Sequence, residues 1–174
     1  MPRWLDRRKI ILIVVLLVAL VPAWAAFQFF TDRYPEWMRG FTATVREQAP
    51  GAPAGNVCLG DYTPFGWDVV YLVPPHGPIE NYPNVLALHW TDEELEKLRG
   101  ITALVEAPVV VFAKDGAPVW FSYFPRFEKS RLMDNYGLAF ENIPNDGLIR
   151  SHAVFSVEAA EQDWGILYTL RPVS

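Results

Sequence analysis

The sequence has little cysteine: Cys58 is the single thiol among 174 residues. One thiol cannot form an internal disulfide, so the stability of the folded chain must come from packing. Aromatic residues make up 14% of the sequence, and rings of this size can fill a core without a covalent crosslink. Cys58 itself is interpreted as a small apolar residue in or beside a strand.

Histidine and recognisable catalytic motifs are also scarce. The three histidines, His76, His89 and His152, are widely spaced, whereas a zinc site usually takes two ligands at short spacing, as in His-Glu-x-x-His. The sequence contains no Gly-x-Ser-x-Gly elbow, no cysteine–histidine signature and no glycine-rich phosphate loop. It therefore predicts no bound metal, no cofactor and no enzymatic activity.

Positive charge is concentrated at the start of the chain. Of 15 basic and 20 acidic residues, four basic and one acidic precede residue 10, which leaves 11 and 19 beyond it and a net charge of −8 there. An acidic surface of this kind repels nucleic acid and anionic lipid. Nucleic-acid binding is therefore excluded as the expected function.

The longest apolar run, residues 10–21, can be interpreted in two ways. As a transmembrane signal-anchor it continues to residue 30, about 20 residues in all, and an aromatic belt follows it. As a cleaved signal peptide it ends near residue 25, because Pro22 would stop the helix and Ala23-Trp24-Ala25 fits a cleavage site. The anchor is favoured because apolar character continues past the possible cut.

Both interpretations place the rest of the chain outside the inner membrane. The basic flank at 1–9 stays in the cytoplasm, so a single span at 10–30 exports everything after it. The sequence predicts a single-pass protein of the inner (cytoplasmic) membrane, with its C-terminal domain in the periplasm or outside.

Three further segments are predicted along the exported chain. Apolar residues at helical spacing, among them Trp37, Phe41 and Val45, indicate a juxtamembrane helix within 31–48. Proline and glycine then form a linker, so that 31–55 is helix plus tether. The extracytoplasmic domain is predicted to span 56–174.

One hairpin is specified more sharply than any other element. Asp115-Gly116 lies between two apolar runs, 108–113 and 118–124, which predicts a type I′ turn. In that register Lys114 pairs with Ala117 and Ala113 faces Pro118. Proline cannot donate to a ladder, so the second strand should lie at a sheet edge.

The remaining pattern predicts an α+β fold. Residues 67–73 read as a central strand, and 153–157 and 164–170 as two more. A helix should begin after Thr91, the N-cap, bury Leu98 and end at Gly100. Together these give a mostly antiparallel sheet of about five strands with one or two short helices.

Three segments resemble a family of small exported or membrane-anchored bacterial proteins of unassigned role. They are the Trp-Asp strand at 65–75, the Lys-Asp-Gly hairpin at 111–116 and Phe-Pro-Arg at 124–126. The resemblance covers about residues 61–157, and it departs from the pattern at Pro75-His76, where Pro-Tyr is usual. It implies a small exported α+β domain and carries no activity or site residues.

Five residues are predicted to take part in binding. Asp68 interrupts an apolar strand, and a buried carboxylate there would need a partner, for which Arg126 is placed suitably. His76 lies in a proline-rich loop. Tyr82 and Tyr136 lie at loop edges, where aromatic rings are expected to be exposed.

These observations favour a non-enzymatic module that binds another envelope protein, such as an inhibitor, an immunity protein or an accessory subunit. One alternative is a small hydrolase that uses at least two of Asp68, His76 and His152 in one cleft. Another is a glycan-binding module, which requires a row of exposed aromatic rings on one sheet face.

Overall fold

The computed structural model describes residues 34–75, 77–104, 107–124 and 136–173, and the fold belongs to the unit Trp37–Ser174. Within these ranges no helix has both the length and the apolar character that crossing a bilayer requires. The predicted anchor at 10–30 lies outside the described residues, so the anchor and the localisation stay predictions.

The described ranges contain three α-helices and eight strands. The helices are α1 (Glu36–Arg46), α2 (Pro83–Leu86) and α3 (Asp92–Leu104). The strands are β1 (Gly55–Cys58), β2 (Val69–Val73), β3 (Val109–Lys114), β4 (Ala117–Tyr123), β5 (Tyr136–Phe140), β6 (Leu148–Ile149), β7 (Val154–Gln162) and β8 (Gly165–Pro172). Short 3-10 helices occupy Leu59–Asp61, Ile79–Asn81 and Arg150–His152.

The strands form two four-stranded sheets. The first has the order β1-β7-β8-β5 and the second has the order β4-β3-β2-β6. All pairs are antiparallel except β5 with β8, which is parallel. The predicted α+β, mostly antiparallel class is confirmed, but there are two sheets where the sequence predicted one of about five strands. The strands that sequence missed, β1, β5 and β6, are short and lack a clear alternation of apolar residues.

The Asp115-Gly116 hairpin forms as predicted. Lys114 pairs with Ala117 and Ala113 with Pro118. Both turn residues have positive φ, 51° and 77°, which a type I′ turn requires. β4 is at the edge of the second sheet, and the register slips past Ala113, which leaves a bulge in this edge strand.

An aromatic layer covers one face of the second sheet. Trp37 of α1 lies edge-on to Phe112 of β3, with ring centroids 5.6 Å apart, and to Trp120 of β4 at 5.1 Å. Phe124 contacts Phe140 of β5 at 5.1 Å, which links this layer to the first sheet. The aromatic layer comprises Trp37, Phe41, Phe65, Trp67, Phe112, Trp120, Phe124, Phe140 and Phe155.

Helix α1 is part of this core. Its apolar side chains at Trp37, Phe41 and Val45 are buried, as the periodicity of the sequence requires. The folded unit therefore starts at Trp37, whereas the sequence placed the start of the domain near Asn56. β1 begins at Gly55, inside the segment predicted to be a linker.

An aliphatic layer covers the opposite face of the second sheet. It consists of Val73, Ile79, Val85, Leu98, Val109 and Val111. Val109 and Val111 point to this side because side chains alternate along β3, and the even-numbered Phe112 points to the other. All of β3 except Lys114 is buried, so this strand contributes to both layers.

Helix α3 begins as predicted and ends later than predicted. The Thr91 hydroxyl accepts the N–H of Glu94 at 3.2 Å, while the Thr91 N–H donates to the Glu94 carboxylate at 3.0 Å. This reciprocal pair is a capping box. Gly100 does not stop the helix, which continues to Leu104. Gly100 is exposed there, where a glycine weakens a helix without breaking it.

Candidate functional site

A cleft of about 470 Å³ lies between the end of β2 and strand β5. Its floor is apolar and buried, and includes Leu72 and Val73 of β2 and Leu138 of β5. The described lining residues of this β5 cleft are Leu72, Val73, Pro74, Pro75, Tyr82, Pro108, Leu138, Ala139, Phe140, Asn142, Ile143, Asn145, Trp164 and Leu167. The volume and the apolar lining are typical of a ligand site.

The rim of the cleft is more polar and more exposed than its floor. Asn142 and Asn145 are exposed, and Trp164, in the two-residue turn between β7 and β8, is 39% exposed. Asn142 has a φ of +58°, in the left-handed region that asparagine adopts more readily than most residues. An apolar floor with a few polar groups at the mouth can desolvate a ligand and still orient it.

Strand β5 meets the cleft along its edge. Three consecutive residues, Leu138, Ala139 and Phe140, line the cavity, and since successive side chains alternate between faces, the cavity follows the edge of the strand. The N–H of Glu141 donates to the carbonyl of Leu170 in β8 at 3.0 Å. Because the hydrogen-bonding direction alternates along a strand, the backbone groups of Leu138 and Phe140 point away from β8.

None of the described residues that line the β5 cleft carries a formal charge. The Tyr82 phenol is titratable, and burial raises its pKa above the usual value, so it stays neutral at physiological pH. The described lining thus provides no carboxylate, imidazole or amine as a general base. Its chemistry is suited to holding an apolar group next to hydrogen-bonding backbone.

Asp68 is not in this cleft, and the prediction that it is buried is wrong. β2 begins one residue later, at Val69, and Asp68 is exposed. Its carboxylate accepts the N–H of Asp115 at 2.9 Å, and its own N–H donates to the carbonyl of Ala113 at 2.9 Å. Its carbonyl accepts the N–H of Arg150 at 3.0 Å. Asp68 therefore stabilises the contact between the hairpin turn and the start of β2. Because its carboxylate is exposed, it needs no buried cation to compensate its charge.

The two predicted tyrosines have different environments. Tyr82 lines the β5 cleft and is half-buried rather than exposed. The expectation that Tyr136 is exposed is wrong, because it begins β5 and is only 7% exposed. The guanidinium carbon of Arg46 lies 4.3 Å from the centre of its ring, in cation–π contact. Tyr82 therefore lies in the β5 cleft, whereas Tyr136 lies at the N-terminal end of β5 and is not among the described lining residues.

The other predicted functional residues do not form a common site within the described ranges. His76 and Arg126 lie outside those ranges, so their predicted roles stay predictions. The backbone N–H of His89 donates to the Gly116 carbonyl at 2.9 Å. His152 is exposed at the end of a 3-10 helix. Among the described residues no group of three histidine, cysteine, aspartate or glutamate side chains could hold a metal ion.

A row of exposed aromatic rings, which the glycan alternative requires, is also not seen in the part of the chain that the structure describes. There Trp164 is the one exposed Trp or Phe side chain. Trp67 is buried, with its indole N–H donating to the Thr63 hydroxyl at 2.7 Å. Trp90 donates to the Val85 carbonyl at 2.7 Å beneath the hairpin strand. Trp67 and Trp90 therefore pack inside the fold and are not presented as a binding surface.

Sequence reasoning missed most of the residues that form the β5 cleft. Trp164 was predicted to begin the strand 164–170, but the strand begins at Gly165 and Trp164 is in the turn before it. A large ring between Asp163 and Gly165, two turn-forming residues, was a usable signal. Asn142 and Ile143 lie in a segment with no periodicity, so nothing in the sequence indicated them.

Comparison with known proteins gives no match: no family model, no curated protein and no solved structure is similar to this chain. The family resemblance described above stays a prediction.

Proposed function

We propose that this protein is a non-enzymatic binding module, held on the outer face of the inner membrane by residues 10–30. The β5 cleft receives an apolar part of another envelope protein. The observation that supports this best is the cleft itself, an apolar cavity of about 470 Å³ with an exposed indole and two exposed amides at its rim. Tryptophan at the edge of a desolvated pocket is common where proteins bind each other.

The charge distribution favours a protein partner over other classes of ligand. The described lining has no cation that could bind a phosphate or carboxylate, and no carboxylate that could bind an amine. The acidic exported region also disfavours contact with the anionic membrane surface. Apolar side chains of a protein partner need no charged residue in the lining and are not repelled by the acidic surface.

Site-specific photo-crosslinking in membranes of the source organism tests this proposal. Benzoylphenylalanine replaces Trp164 at the cleft rim in one variant and Val119 in a matched control. Val119 is 44% exposed in edge strand β4, near the opposite end of the second sheet. We expect one dominant crosslinked polypeptide from the Trp164 position and none from the Val119 position.

Two results would contradict the proposal. One is the absence of any protein crosslink from Trp164, and the other is the same set of crosslinked proteins from both positions. Mass spectrometry of the recovered chain also reports its N-terminus. A mature chain that starts near residue 25 would replace the anchor with a cleaved signal peptide and leave the binding proposal in place.

A further inference from the structure

We infer that the part of the partner that enters the β5 cleft is a basic segment, in which apolar side chains are flanked by lysine or arginine. The apolar side chains occupy the cleft, and the flanking cations lie beside carboxylates at its mouth. This inference rests on the proposed function and specifies the chemistry of the partner.

The first observation is the sign of the charge around the cleft. The described lining carries no formal charge, but three charged residues directly precede or follow lining residues in the sequence. They are Glu141, Asp146 and Asp163, each next to an exposed residue of the rim. All three are acidic and exposed, and no lysine or arginine is adjacent in sequence to a described lining residue. Because consecutive Cα atoms are about 3.8 Å apart, these residues belong to the mouth of the cleft.

Glu141 already has a partner within the protein. Arg171 Nε donates to the Glu141 carboxylate at 3.0 Å, and Arg171 Nη1 donates to the Glu158 carboxylate. One guanidinium therefore pairs with two carboxylates, so this group of three side chains remains acidic. It adds to the negative charge of the rim, but it leaves Asp146 and Asp163 as the carboxylates that a partner can pair with.

Asp146 lies on the β2 side of the mouth. The next residue, Gly147, packs against β2, since a Cβ added there would lie 2.9 Å from Tyr71 Cδ1. Burial and then the charge of Asp146 raise the pKa of Tyr71, which indicates that the carboxylate is near this phenol. Because side chains alternate along β2, Tyr71 is on the same face as Val73, which lines the cleft.

Asp163 lies on the side of the first sheet. Gln162 pairs with Gly165, so Asp163 and Trp164 form the exposed two-residue turn between β7 and β8. No ion pair joins Asp163 or Asp146 to a basic residue of the described ranges. Two carboxylates that are still able to pair with a cation therefore flank the cleft, one from each sheet.

The apolar floor and the acidic rim together select the partner. Removing apolar side chains from water supplies affinity, while opposite charges around the contact steer association and disfavour partners of the wrong sign. An acidic segment would be repelled at the rim, and a neutral one would leave both carboxylates without a counter-charge. A basic segment is also attracted at longer range by an exported region with a net charge of −8.

Peptide titration of the ¹⁵N-labelled full chain, in micelles of an uncharged detergent, tests the inference. The probe is an acetylated and amidated heptapeptide with the core Leu-Phe-Leu and two lysines at each end. One analogue carries glutamine in place of every lysine, and a second carries glutamate. The indole N–H signal of Trp164 reports binding at the cleft. The amide signal of Val119, exposed on edge strand β4, reports contact elsewhere on the surface.

Two double variants separate the charge at the rim from the charge of the whole protein. Asp146→Asn with Asp163→Asn removes both rim carboxylates, and asparagine is suited to turns, so the loops are retained. Glu93→Gln with Glu96→Gln removes two exposed carboxylates of α3 that neither line the cleft nor belong to the capping box. Both variants change the net charge by the same amount.

We expect the lysine peptide to bind the wild-type chain about tenfold more tightly than the glutamine peptide, and the glutamate peptide to bind most weakly. Loss of the rim carboxylates should weaken binding of the lysine peptide about three- to tenfold, as for two exposed ion pairs, and leave the glutamine peptide unaffected. The α3 variant should change the affinity less than about twofold, because solvent and salt screen distant charges.

Equal affinity for the lysine and glutamine peptides would overturn the inference, and so would equal weakening by the two double variants. No shift of the Trp164 signal at about millimolar lysine peptide would overturn it as well. These failures are separate from failure of the proposed function, because crosslinking from Trp164 does not depend on the charge of the partner. A partner crosslinked at Trp164 through an acidic or uncharged segment would leave the function in place and remove the basic segment.

Discussion

The two faces of the second sheet are filled in different ways. On one face, aromatic rings from α1, β3 and β4 meet mostly edge to face, with centroid separations of 5.1 to 5.6 Å from Trp37 to Phe112 and Trp120. On the other face, valine, leucine and isoleucine from β2, β3, α2, α3 and the 3-10 helix Ile79–Asn81 form the aliphatic layer. β3 supplies both, with Phe112 on one side and Val111 on the other.

The comparison shows how a chain without a disulfide divides its packing. The aromatic layer joins the two sheets through Phe124, Phe140 and Phe155, so its rings hold distant parts of the chain together. The aliphatic layer joins the second sheet to helix α3, whose N-terminus is fixed locally by the Thr91–Glu94 capping box. Damage to the first should therefore be more costly than comparable damage to the second.

The largest expected effect is at β3, where the two layers can be compared within one strand. Phe112→Ala should lower the free energy of unfolding by about 4 kcal/mol, as for a fully buried ring replaced by a cavity. Val111→Ala, also fully buried, should cost about 2 kcal/mol. Urea unfolding of both variants measures the difference. Equal losses would contradict the larger cavity expected where the ring is removed.

A second prediction concerns the fit of backbone to the aliphatic side. Gly147 has a φ of +82°, and a Cβ added there would lie 2.6 Å from Val69 Cγ1 and 2.9 Å from the Val70 carbonyl oxygen. Gly147→Ala combines a strained backbone with a steric clash and should cost about 3 kcal/mol.

The matched control for that prediction is Gly100→Ala. This glycine lies inside α3 with no atom within 4 Å of an added Cβ. Alanine should stabilise the helix there by about 0.5–1 kcal/mol. A loss of stability at Gly100, or no loss at Gly147, would contradict the assignment of these two positions.

A smaller effect is expected at the start of α3. Thr91→Ala removes the hydroxyl that accepts the Glu94 N–H, and N-cap replacements of this kind cost about 1 kcal/mol. Thermal unfolding followed by circular dichroism measures it. Thr91→Ser keeps the hydroxyl and should retain most of the stability, so equal losses for alanine and serine would argue against a cap.

The smallest effect is a pH dependence at the same cap. Hydrogen bonds from the Thr91 backbone N–H and then from its hydroxyl lower the pKa of Glu94. A lowered folded-state pKa means that this carboxylate stabilises the fold above its ordinary pKa near 4.5 and ceases to do so as pH falls through the lower value.

The Tm difference between wild type and Glu94→Gln should therefore be small but positive at neutral pH and should fall toward zero as the pH is lowered through the reduced pKa of Glu94. In the Thr91→Ala background the same substitution should change Tm less at neutral pH, because the hydroxyl that helps to lower the pKa is gone. A difference that grows on acidification would reverse the sign of the linkage.

Local signals in the sequence predicted local structure well. Asp115-Gly116 specified a hairpin down to its register, since the turn type fixes which residues face each other. Thr91 specified the start of α3, because its hydroxyl can accept the otherwise unpaired Glu94 N–H of the first turn. The predicted stop at Gly100 was wrong. Gly100 is on the exposed side of α3, and the helix continues past it because the next turn still packs on the buried side through Thr102.

Non-local structure could not be predicted in the same way. Nothing in Tyr-Gly-Leu-Ala-Phe indicates that β5 pairs in parallel with a strand about 30 residues later. The burial of Asp68 was overestimated because the predicted strand, 67–73, begins two residues before the observed one, Val69–Val73. The β5 cleft depends on both non-local pairings and loop positions, so among its described lining residues Tyr82 is the one that the sequence predicted to bind.

The order in which the chain contributes strands to the two sheets has a consequence for when the β5 cleft is complete. The chain enters the first sheet with β1, crosses to the second for β2 to β4, returns for β5, crosses again for β6 and finishes in the first with β7 and β8. No single cut separates the sheets, so they should unfold in one transition. β8 lies between β7 and β5, and without it β5 has no partner to hold it beside the cleft. A chain that folds from its N-terminal side therefore holds β5 in place, and completes the β5 cleft, only once β8 has been added.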